Sequence, residues 1–449
     1  MSIGQLFAEN NKKSFGLLSE EKITRNMRPS SLFFIWFAAN LTIGDFAVGF
    51  IPVSLGTPVQ YAISAIIVGN VTGGALLGIM SMIGARTGRP QMALSLGPFS
   101  GTGARILAVL QWGNTLGWLT VNLVLASFAL HVIFPSVTFL IPLLAVAIIV
   151  FVLAYAGHQW IRRFEIAMSL VLGILFAVIS IRYLLHVSPI STYSPGALNP
   201  LVGFGITLAS SFSYIMAWGP YASDYSRFVQ PGEKPIKSFV YSFVGGSIAS
   251  FWIELIGMAV ALSAMSYLSN PASALAFFMG RYSALGMVSL FLGGIAANAI
   301  NLFSNATSMG TAIQSLRGKR ALILGALVSF VLGIIGYGNF YSFYETFLFI
   351  LDYWITPWLG VLVAYYFIYH RRWSGIPVRP YSGILSYAIA VAASIPFMSP
   401  GAVFEGPVAY YLGSVDISYY ISFTLALILF VTFNTRRTVT DRGGVKPTG

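Results

Sequence analysis

Long apolar runs recur along the whole chain, and they restrict its fold more than any other feature of the sequence. Twelve stretches of roughly 20 residues contain few charged side chains, which is the length that an α-helix needs to cross the hydrocarbon core of a bilayer. We predict membrane-spanning helices, called segments 1 to 12, at residues 32–56, 61–84, 104–131, 136–156, 165–186, 201–224, 238–267, 284–314, 321–337, 343–369, 382–400 and 417–434. The sequence therefore predicts an all-α integral membrane protein.

The composition excludes a soluble fold. Of the 449 residues, 57% are hydrophobic and only 8% are charged, whereas soluble domains average about 25% charged residues. So few charged side chains could not cover the surface of a soluble protein of this length. Cysteine is absent, which removes disulfides and thiolate metal sites.

The basic residues indicate how the chain is oriented in the membrane. With the N-terminus inside, every lysine and arginine other than Arg182 and Arg281 falls on one side, as expected for cytoplasmic loops. We predict a multi-pass protein of the cell membrane with cytoplasmic tails at residues 1–31 and 435–449, the first being a tail and not a signal peptide. The net charge of +12 therefore reflects topology and predicts no nucleic-acid partner.

Polar side chains inside the apolar segments mark a candidate binding site, because such groups are costly in a bilayer. Trp118 and Asn122 in segment 3 lie four residues apart, and Asn298, Asn301 and Asn305 in segment 8 also share one helix face. An indole beside carboxamides suits a planar heterocycle whose edge carries both hydrogen-bond donors and acceptors. The alternative is that the asparagines only hold neighbouring helices together.

Segments 1 and 6 each carry small residues in mid-membrane, which is typical of paired broken helices around a transporter site. Ordinary glycine-mediated packing is the alternative. Asp45 in segment 1 is a candidate proton carrier, or it caps the half-helix after Gly44 through its side chain.

Other acidic residues near the segments have structural explanations. Glu254, Glu345 and Asp352 are expected to be paired structurally. Asp224 and Arg227, at the end of segment 6, are expected to form an interfacial ion pair or a gate latch.

Five sequence motifs carry a family resemblance: IWFAANLTIGDFAVG in segment 1, LGWLTVNLVLAS in segment 3, SYIMAWGPYASDYSRF in segment 6, ANAINLFSNA in segment 8 and LDYW in segment 10. The chain resembles the nucleobase:cation symporter-1 family, and most closely its cytosine/purine permease branch. The resemblance implies a LeuT-like fold of two inverted five-helix repeats, at residues 32–186 and 201–370, followed by two further helices at residues 382–434.

The resemblance also implies a substrate site among segments 1, 3, 6, 8 and 10. Trp118 would stack on the heterocycle and Asn122 would bind its edge. The other implied substrate-binding residues are Thr42, Ser213, Tyr214, Asn301 and Asn305. In some members of the family a coupling sodium ion lies between segments 1 and 8.

The chain departs from the sodium-coupled pattern in segment 8. The backbone carbonyls that would face an ion are those of Ala38, Leu41 and Ala296. Positions that carry hydroxyl groups in sodium-coupled relatives are Ala299 and Ile300, which leaves a poor oxygen shell for a hard cation. We therefore predict proton coupling with Asp45 as first candidate, no metal site and no cofactor.

The predicted function is import of a cytosine- or purine-type nucleobase by cation symport, with the nucleobase, the coupling cation and the lipid bilayer as partners. Uracil, allantoin, hydantoin or thiamine, with sodium coupling, is the alternative. An enzyme is disfavoured because the four histidines, expected to be solvated or interfacial, lie far apart. A channel is disfavoured by the paired broken helices, and an amino-acid carrier by the aromatic and carboxamide set.

Overall fold

Helices form every regular element in the described part of the chain, apart from an isolated bridge between Met27 and Val229. The computed structural model describes residues 23–186, 196, 198–337, 353–369, 378–379, 381–400 and 404–440. The helices are α1 (Ser31–Asn40), α2 (Ile43–Val48), α3 (Ile51–Ser54), α4 (Val59–Thr87), α5 (Leu96–Ile133), α6 (Leu140–Ala156), α7 (His158–His186), α8 (Pro200–Met216), α9 (Ala222–Ser226), α10 (Pro235–Ser263), α11 (Pro271–Met279), α12 (Ser283–Ala312), α13 (Lys319–Gly336), α14 (Tyr353–Ile368), α15 (Ser382–Ser394), α16 (Pro407–Tyr411) and α17 (Ser418–Thr440).

Many of these helices can cross a membrane. Within the described ranges, 8 helices are long and apolar enough to do so, or 9 if the bent pair Ser31–Asn40 and Ile43–Ser54 forms one span. Three shorter apolar helices, Leu140–Ala156, Tyr353–Ile368 and Ser382–Phe397, lie in segments 4, 10 and 11. The all-helical membrane fold is confirmed, whereas the number of twelve spans and the repeat boundaries stay predictions.

Segment 1 is broken, as the sequence predicts, but the break lies at Leu41 and Thr42, before Gly44. The two halves are bent by 55°. Thr42 has extended backbone angles, and its side chain accepts a hydrogen bond from the Asp45 backbone N–H at 3.3 Å. Of the two alternatives for Asp45, capping of the second half-helix was therefore wrong: Asp45 contributes only its N–H, and Thr42 is the cap.

Segment 6 changes its helical geometry without a sharp bend. Helix α8 ends at Met216, a 3-10 turn covers Gly219–Tyr221, and α9 continues the same span. Pro220 has no backbone N–H to donate, which fits a position where the α-helical hydrogen-bond pattern is interrupted. The disruption is milder than that of segment 1.

Several predicted helix boundaries differ from the structure. Segment 3 begins at Leu96 and passes through a kink at Ser100, whose φ is 64°. Segment 5 begins at His158, directly after Gly157 with a φ of 87°. Glu345, Asp352, His370 and most of the two predicted tails lie outside the described residues.

The helices pack in two groups that meet around the break in segment 1. Helices α1, α2, α4, α8 and α10 contact one another, and α5 packs along α12, with α6 and α13 beside them. Helix α2 approaches α10 at backbone distance, since a methyl group on Gly49 would overlap the carbonyl oxygen of Glu254 and one on Gly257 that of Phe46. This contact turns Asp45 towards Glu254.

Candidate functional site

A small aromatic cavity lies between the two groups of helices. Trp118 of α5 and Tyr214 of α8 line it together with Ala217, Trp218 and Tyr221, which follow α8. The centre of a water molecule can occupy a volume of about 10 Å³ inside it, so the cavity holds about one water. A heterocycle can enter only if the aromatic side chains separate.

The cavity's rings contact each other and the break in segment 1. Trp118 meets Tyr214 edge to face at 5.6 Å, and Trp218 packs on Tyr221 at 5.1 Å. The Tyr214 hydroxyl lies 2.6 Å from Thr42 Oγ1, and the Trp218 indole N–H donates to Asn40 Oδ1 at 3.0 Å. The conformation of the segment 1 break is thus linked to the cavity wall.

Carboxamides cluster where α5 packs against α12, next to Trp118. Asn298 donates to the carbonyl oxygen of Leu119 at 2.9 Å, and Asn301 donates to Asn298 Oδ1 at 3.1 Å. Asn122 Oδ1, Asn301 Oδ1 and Ser213 Oγ are buried and have no hydrogen-bond partner among the described residues. Three polar atoms near the cavity are therefore available to a ligand.

The predicted site residues are only partly brought together. Trp118 and Tyr214 line the cavity, and Thr42 is hydrogen-bonded to Tyr214. Asn122 and Ser213 are buried close to these residues in the chain, and Asn301 is connected to α5 through Asn298, but none of the three lines the cavity in this conformation.

Asn305 has a different environment, one helical turn beyond Asn301. It donates to the carbonyl oxygen of Trp112 at 3.1 Å and to Thr115 Oγ1 at 2.8 Å, and its Oδ1 packs against Gly325. The structure therefore places Asn305 in a contact between α5, α12 and α13, which is the packing role that the sequence left open.

The positions predicted to face a cation are buried, and two of their carbonyl groups accept hydrogen bonds. Ala38 O accepts the Leu41 N–H at 3.2 Å, and Ile300 O accepts the Tyr225 hydroxyl at 2.9 Å. Leu41 O packs against Gly293. Ala296 and Ala299 are fully buried and supply no hydroxyl group. Across the described ranges, no group of three or more His, Asp or Glu side chains could hold a metal ion.

Sequence reasoning underestimated Glu254 and missed Trp218. Glu254 Oε2 accepts Asn70 Nδ2 at 2.9 Å and Ser211 Oγ at 2.7 Å, and the Asp45 carboxyl lies against it. Trp218 follows Tyr214 by one helical turn, a spacing that could have placed it in the cavity wall.

The end of segment 6 is held by a buried polar network. Asp224 accepts the Gln91 backbone N–H at 2.9 Å and the Thr307 hydroxyl at 3.1 Å, and the Ser223 N–H donates to Gln91 Oε1 at 2.7 Å. These bonds tie α9 to the turn before α5 and to α12, and the gate latch stays a prediction.

The expectation that all four histidines are solvated or interfacial was wrong for His158. His158 is buried and stacks on the Phe228 ring at 3.5 Å, so this histidine is neither solvated nor interfacial. Its contact belongs to the packing of α7 against the segment that follows α9.

Comparison with known proteins adds a family, two sequence relatives and a fold. The model of the family described as permease for cytosine/purines, uracil, thiamine, allantoin matches residues 20–375. YxlA of Bacillus subtilis, which bears the provisional name purine-cytosine permease, is 27% identical, with 90% of this chain and 92% of the relative covered. The purine-cytosine permease fcyB of Emericella nidulans is 23% identical, with 88% and 83% covered.

The solved structures that resemble this chain show the same fold. Mhp1, described as a nucleobase-cation-symport-1 family transporter in a closed conformation with bromovinylhydantoin bound, gives a TM-score of 0.75 at 20% identity and covers 96% of both chains. Its inward-facing conformation gives 0.71 at 19% identity, covering 95% of this chain and 96% of Mhp1.

Proposed function

We propose that this chain transports a nucleobase together with a proton. The chain belongs to the family of permeases for cytosine/purines, uracil, thiamine and allantoin. As a member of this family it is a membrane transporter and not an enzyme. The proposed activity is import of a planar nucleobase of the cytosine or purine type together with a proton.

The aromatic cavity beside unpaired carboxamide oxygens carries this proposal. The ring stacks on Trp118, with Trp218 as a second aromatic wall, and its N–H groups donate to Asn122 Oδ1 and Asn301 Oδ1. Stacking of a base on an aromatic side chain contributes about 1 to 3 kcal/mol. A ring without N–H groups would leave the buried oxygens unpaired, which costs about 1 to 3 kcal/mol and gives selectivity.

Proton coupling is favoured over sodium coupling by the residues between segments 1 and 8. Sodium needs several oxygen ligands, but Ala299 and Ile300 offer no hydroxyl group. The carbonyl groups of Ala38 and Ile300 already accept hydrogen bonds. Asp45 remains the candidate proton carrier.

The proposed architecture is the LeuT-like arrangement of twelve helices predicted above, with repeats at residues 32–186 and 201–370, two further helices at residues 382–434, and both termini in the cytoplasm of a cell-membrane protein. The break in segment 1 and the 3-10 turn in segment 6 lie five segments apart, which supports the repeat. During transport, the group containing α1, α2, α4, α8 and α10 moves against α5 and α12 and opens the cavity.

The test is uptake of radiolabelled cytosine, adenine, hypoxanthine, uracil and allantoin by cells that lack their own nucleobase carriers. We expect saturable uptake of cytosine or a purine that persists without sodium and stops with a protonophore. Uptake of none of the rings would contradict the nucleobase proposal, and uptake that requires sodium would contradict proton coupling.

A further inference from the structure

Two acidic side chains from different helices meet in the interior of the membrane-spanning region. Asp45 of α2 and Glu254 of α10 are both fully buried, and their carboxyl groups are in contact. The contact is imposed by the backbone, because Gly49 and Gly257 allow α2 and α10 to approach each other more closely than any side chain would permit. The pair is therefore a built feature of the helix packing.

The hydrogen bonds around the pair are unequal. Glu254 Oε2 accepts two donors, from Asn70 and Ser211, and Ser250 Oγ lies 3.4 Å from Oε1. Asp45 has less support: apart from Glu254, Ser250 is the one described side chain that interacts with its carboxyl group, and neither Asp45 oxygen has a hydrogen bond of normal geometry to a described residue. Glu254 thus has the environment of an ionised carboxylate, while Asp45 lacks the donors that a carboxylate needs.

A third polar atom, besides the two carboxyl oxygens of Asp45, also lacks a partner. Asn70 Oδ1 is buried and unpaired among the described residues, although the amide nitrogen of the same side chain donates to Glu254. Asn70 is only 1% exposed, so bulk water does not satisfy this oxygen. A donor or a positive charge between the carboxyl groups is what this set of acceptors lacks.

Within the described part of the chain, no basic side chain neutralises the pair. The groups that interact with the two carboxyl groups there are each other, Asn70, Ser211 and Ser250. The other described titratable side chains on the helices that pack against α2 and α10 are Tyr61, Arg86, Arg105, His131, His158, Arg162, Arg163, Glu165, Arg182, Tyr183, Tyr214, Lys237 and Tyr241. Along their helices, Arg86 lies about 24 Å from Asn70 and Lys237 about 26 Å from Glu254. Two touching carboxyl groups without a cation cannot both be ionised.

We propose that Asp45 and Glu254 form the proton-binding site of the transporter, with the proton on Asp45 and donated to Glu254. The inference rests on the proposed proton symport and names the group that performs it. The O–H bond of Asp45 forms when the proton enters from one side of the membrane and breaks when it leaves on the other, and no other bond changes.

The pair is connected to the aromatic cavity by two hydrogen bonds. The Asp45 N–H donates to Thr42 Oγ1 at 3.3 Å, and Thr42 Oγ1 lies 2.6 Å from the hydroxyl of Tyr214, which packs against Trp118. Because the two carboxyl groups cannot both be ionised while they touch, loss of the proton requires them to separate, which moves α2 relative to α10. Because α2 carries the Asp45 N–H and begins next to Thr42, proton occupancy and the conformation of the cavity are linked in both directions.

A direct test uses infrared difference spectroscopy on the purified full-length protein without substrate. We expect a protonated-carboxyl C=O band in the wild type that Asp45→Asn removes and Glu254→Gln shifts in frequency. Glu233→Gln is the control, since Glu233 is a partly exposed loop residue paired with Lys237, and it should leave the band unchanged.

Three results would overturn the proton pair. They are a band that survives Asp45→Asn, a band unchanged by Glu254→Gln, and a wild-type band that disappears when sodium replaces choline. If Asp45→Asn does not give folded protein, the frequency shift in Glu254→Gln and the sodium titration of the wild type still decide the proposal.

A transport test uses proteoliposomes, tritiated cytosine and a gradient of one pH unit at zero membrane potential. One proton per base predicts about tenfold accumulation by the wild type and by Glu233→Gln. Glu254→Gln should reach only equal concentrations while still exchanging labelled for unlabelled cytosine. The assignment would be overturned if Glu254→Gln accumulated cytosine as the wild type does. It would also be overturned if Glu165→Gln lost accumulation while Glu254→Gln kept it.

The two tests separate this inference from the proposed function. A wild type that transports none of the five rings refutes the nucleobase proposal, while the infrared bands still decide whether the pair holds a proton. A wild type that accumulates cytosine only on a sodium gradient refutes the pair as coupling site and leaves nucleobase transport intact.

Discussion

Replacement of Trp118 tests the stacking role on which the substrate proposal depends. Trp118 is 6% exposed, lines the cavity and touches Tyr214 edge to face. Loss of a stacking contact of about 1 to 3 kcal/mol predicts that Trp118→Ala raises the Kd for cytosine about 5- to 150-fold. Trp118→Phe keeps a smaller ring at the same place and should raise the Kd less.

The assay is equilibrium binding of tritiated cytosine to purified protein, with thermal unfolding measured in parallel. The parallel measurement is needed because truncation of a buried tryptophan also costs about 3 to 5 kcal/mol of stability. Trp160→Ala is the matched control: Trp160 is 43% exposed on α7, so its removal should leave the Kd unchanged. A folded Trp118→Ala variant with wild-type affinity would refute the stacking role.

Three further substitutions test other parts of the site. Asn301→Ala should change the ratio of Kd values between cytosine and adenine by up to about 150-fold, equivalent to about 3 kcal/mol, in folded protein, and a loss of folded yield in place of this change would favour a packing role. Asp224→Asn should weaken the latch and speed thiol labelling of Ser226→Cys, a unique reporter in a chain without cysteine, and equal labelling rates would contradict the latch. Thr42→Val and Tyr214→Phe both break the hydrogen bond between these two side chains, and Thr42→Val also removes the cap of α2. Their effects on Kd should be non-additive by about 0.5 to 1.5 kcal/mol in a double-mutant cycle, whereas additivity would contradict the link.

Apolar length predicted the helical membrane fold, because exposed backbone and charge are costly in lipid. Small residues in mid-membrane predicted the break in segment 1. They could not locate the break, since Thr42 and Asp45 are both good capping residues and only the backbone shows which one caps.

The candidate site was harder to predict, because helical spacing defines a face but not the neighbour that the face meets. Asn301 and Asn305 lie four residues apart, yet Asn305 reaches Thr115 and the backbone of α5 while Asn301 keeps an unpaired oxygen. The contact between Asp45 and Glu254 depends on glycines in two distant helices, and a single sequence does not reveal that these glycines meet.

The narrow aromatic cavity has a consequence for how affinity can change. While the cavity is closed, Trp118 and Tyr214 contact each other, and these contacts must break before a substrate ring can stack on either side chain. The measured affinity is the intrinsic affinity reduced by the fraction of molecules in which these contacts are open. Substitutions that only loosen the contacts between the aromatic side chains would therefore make the transporter bind more tightly without touching its substrate.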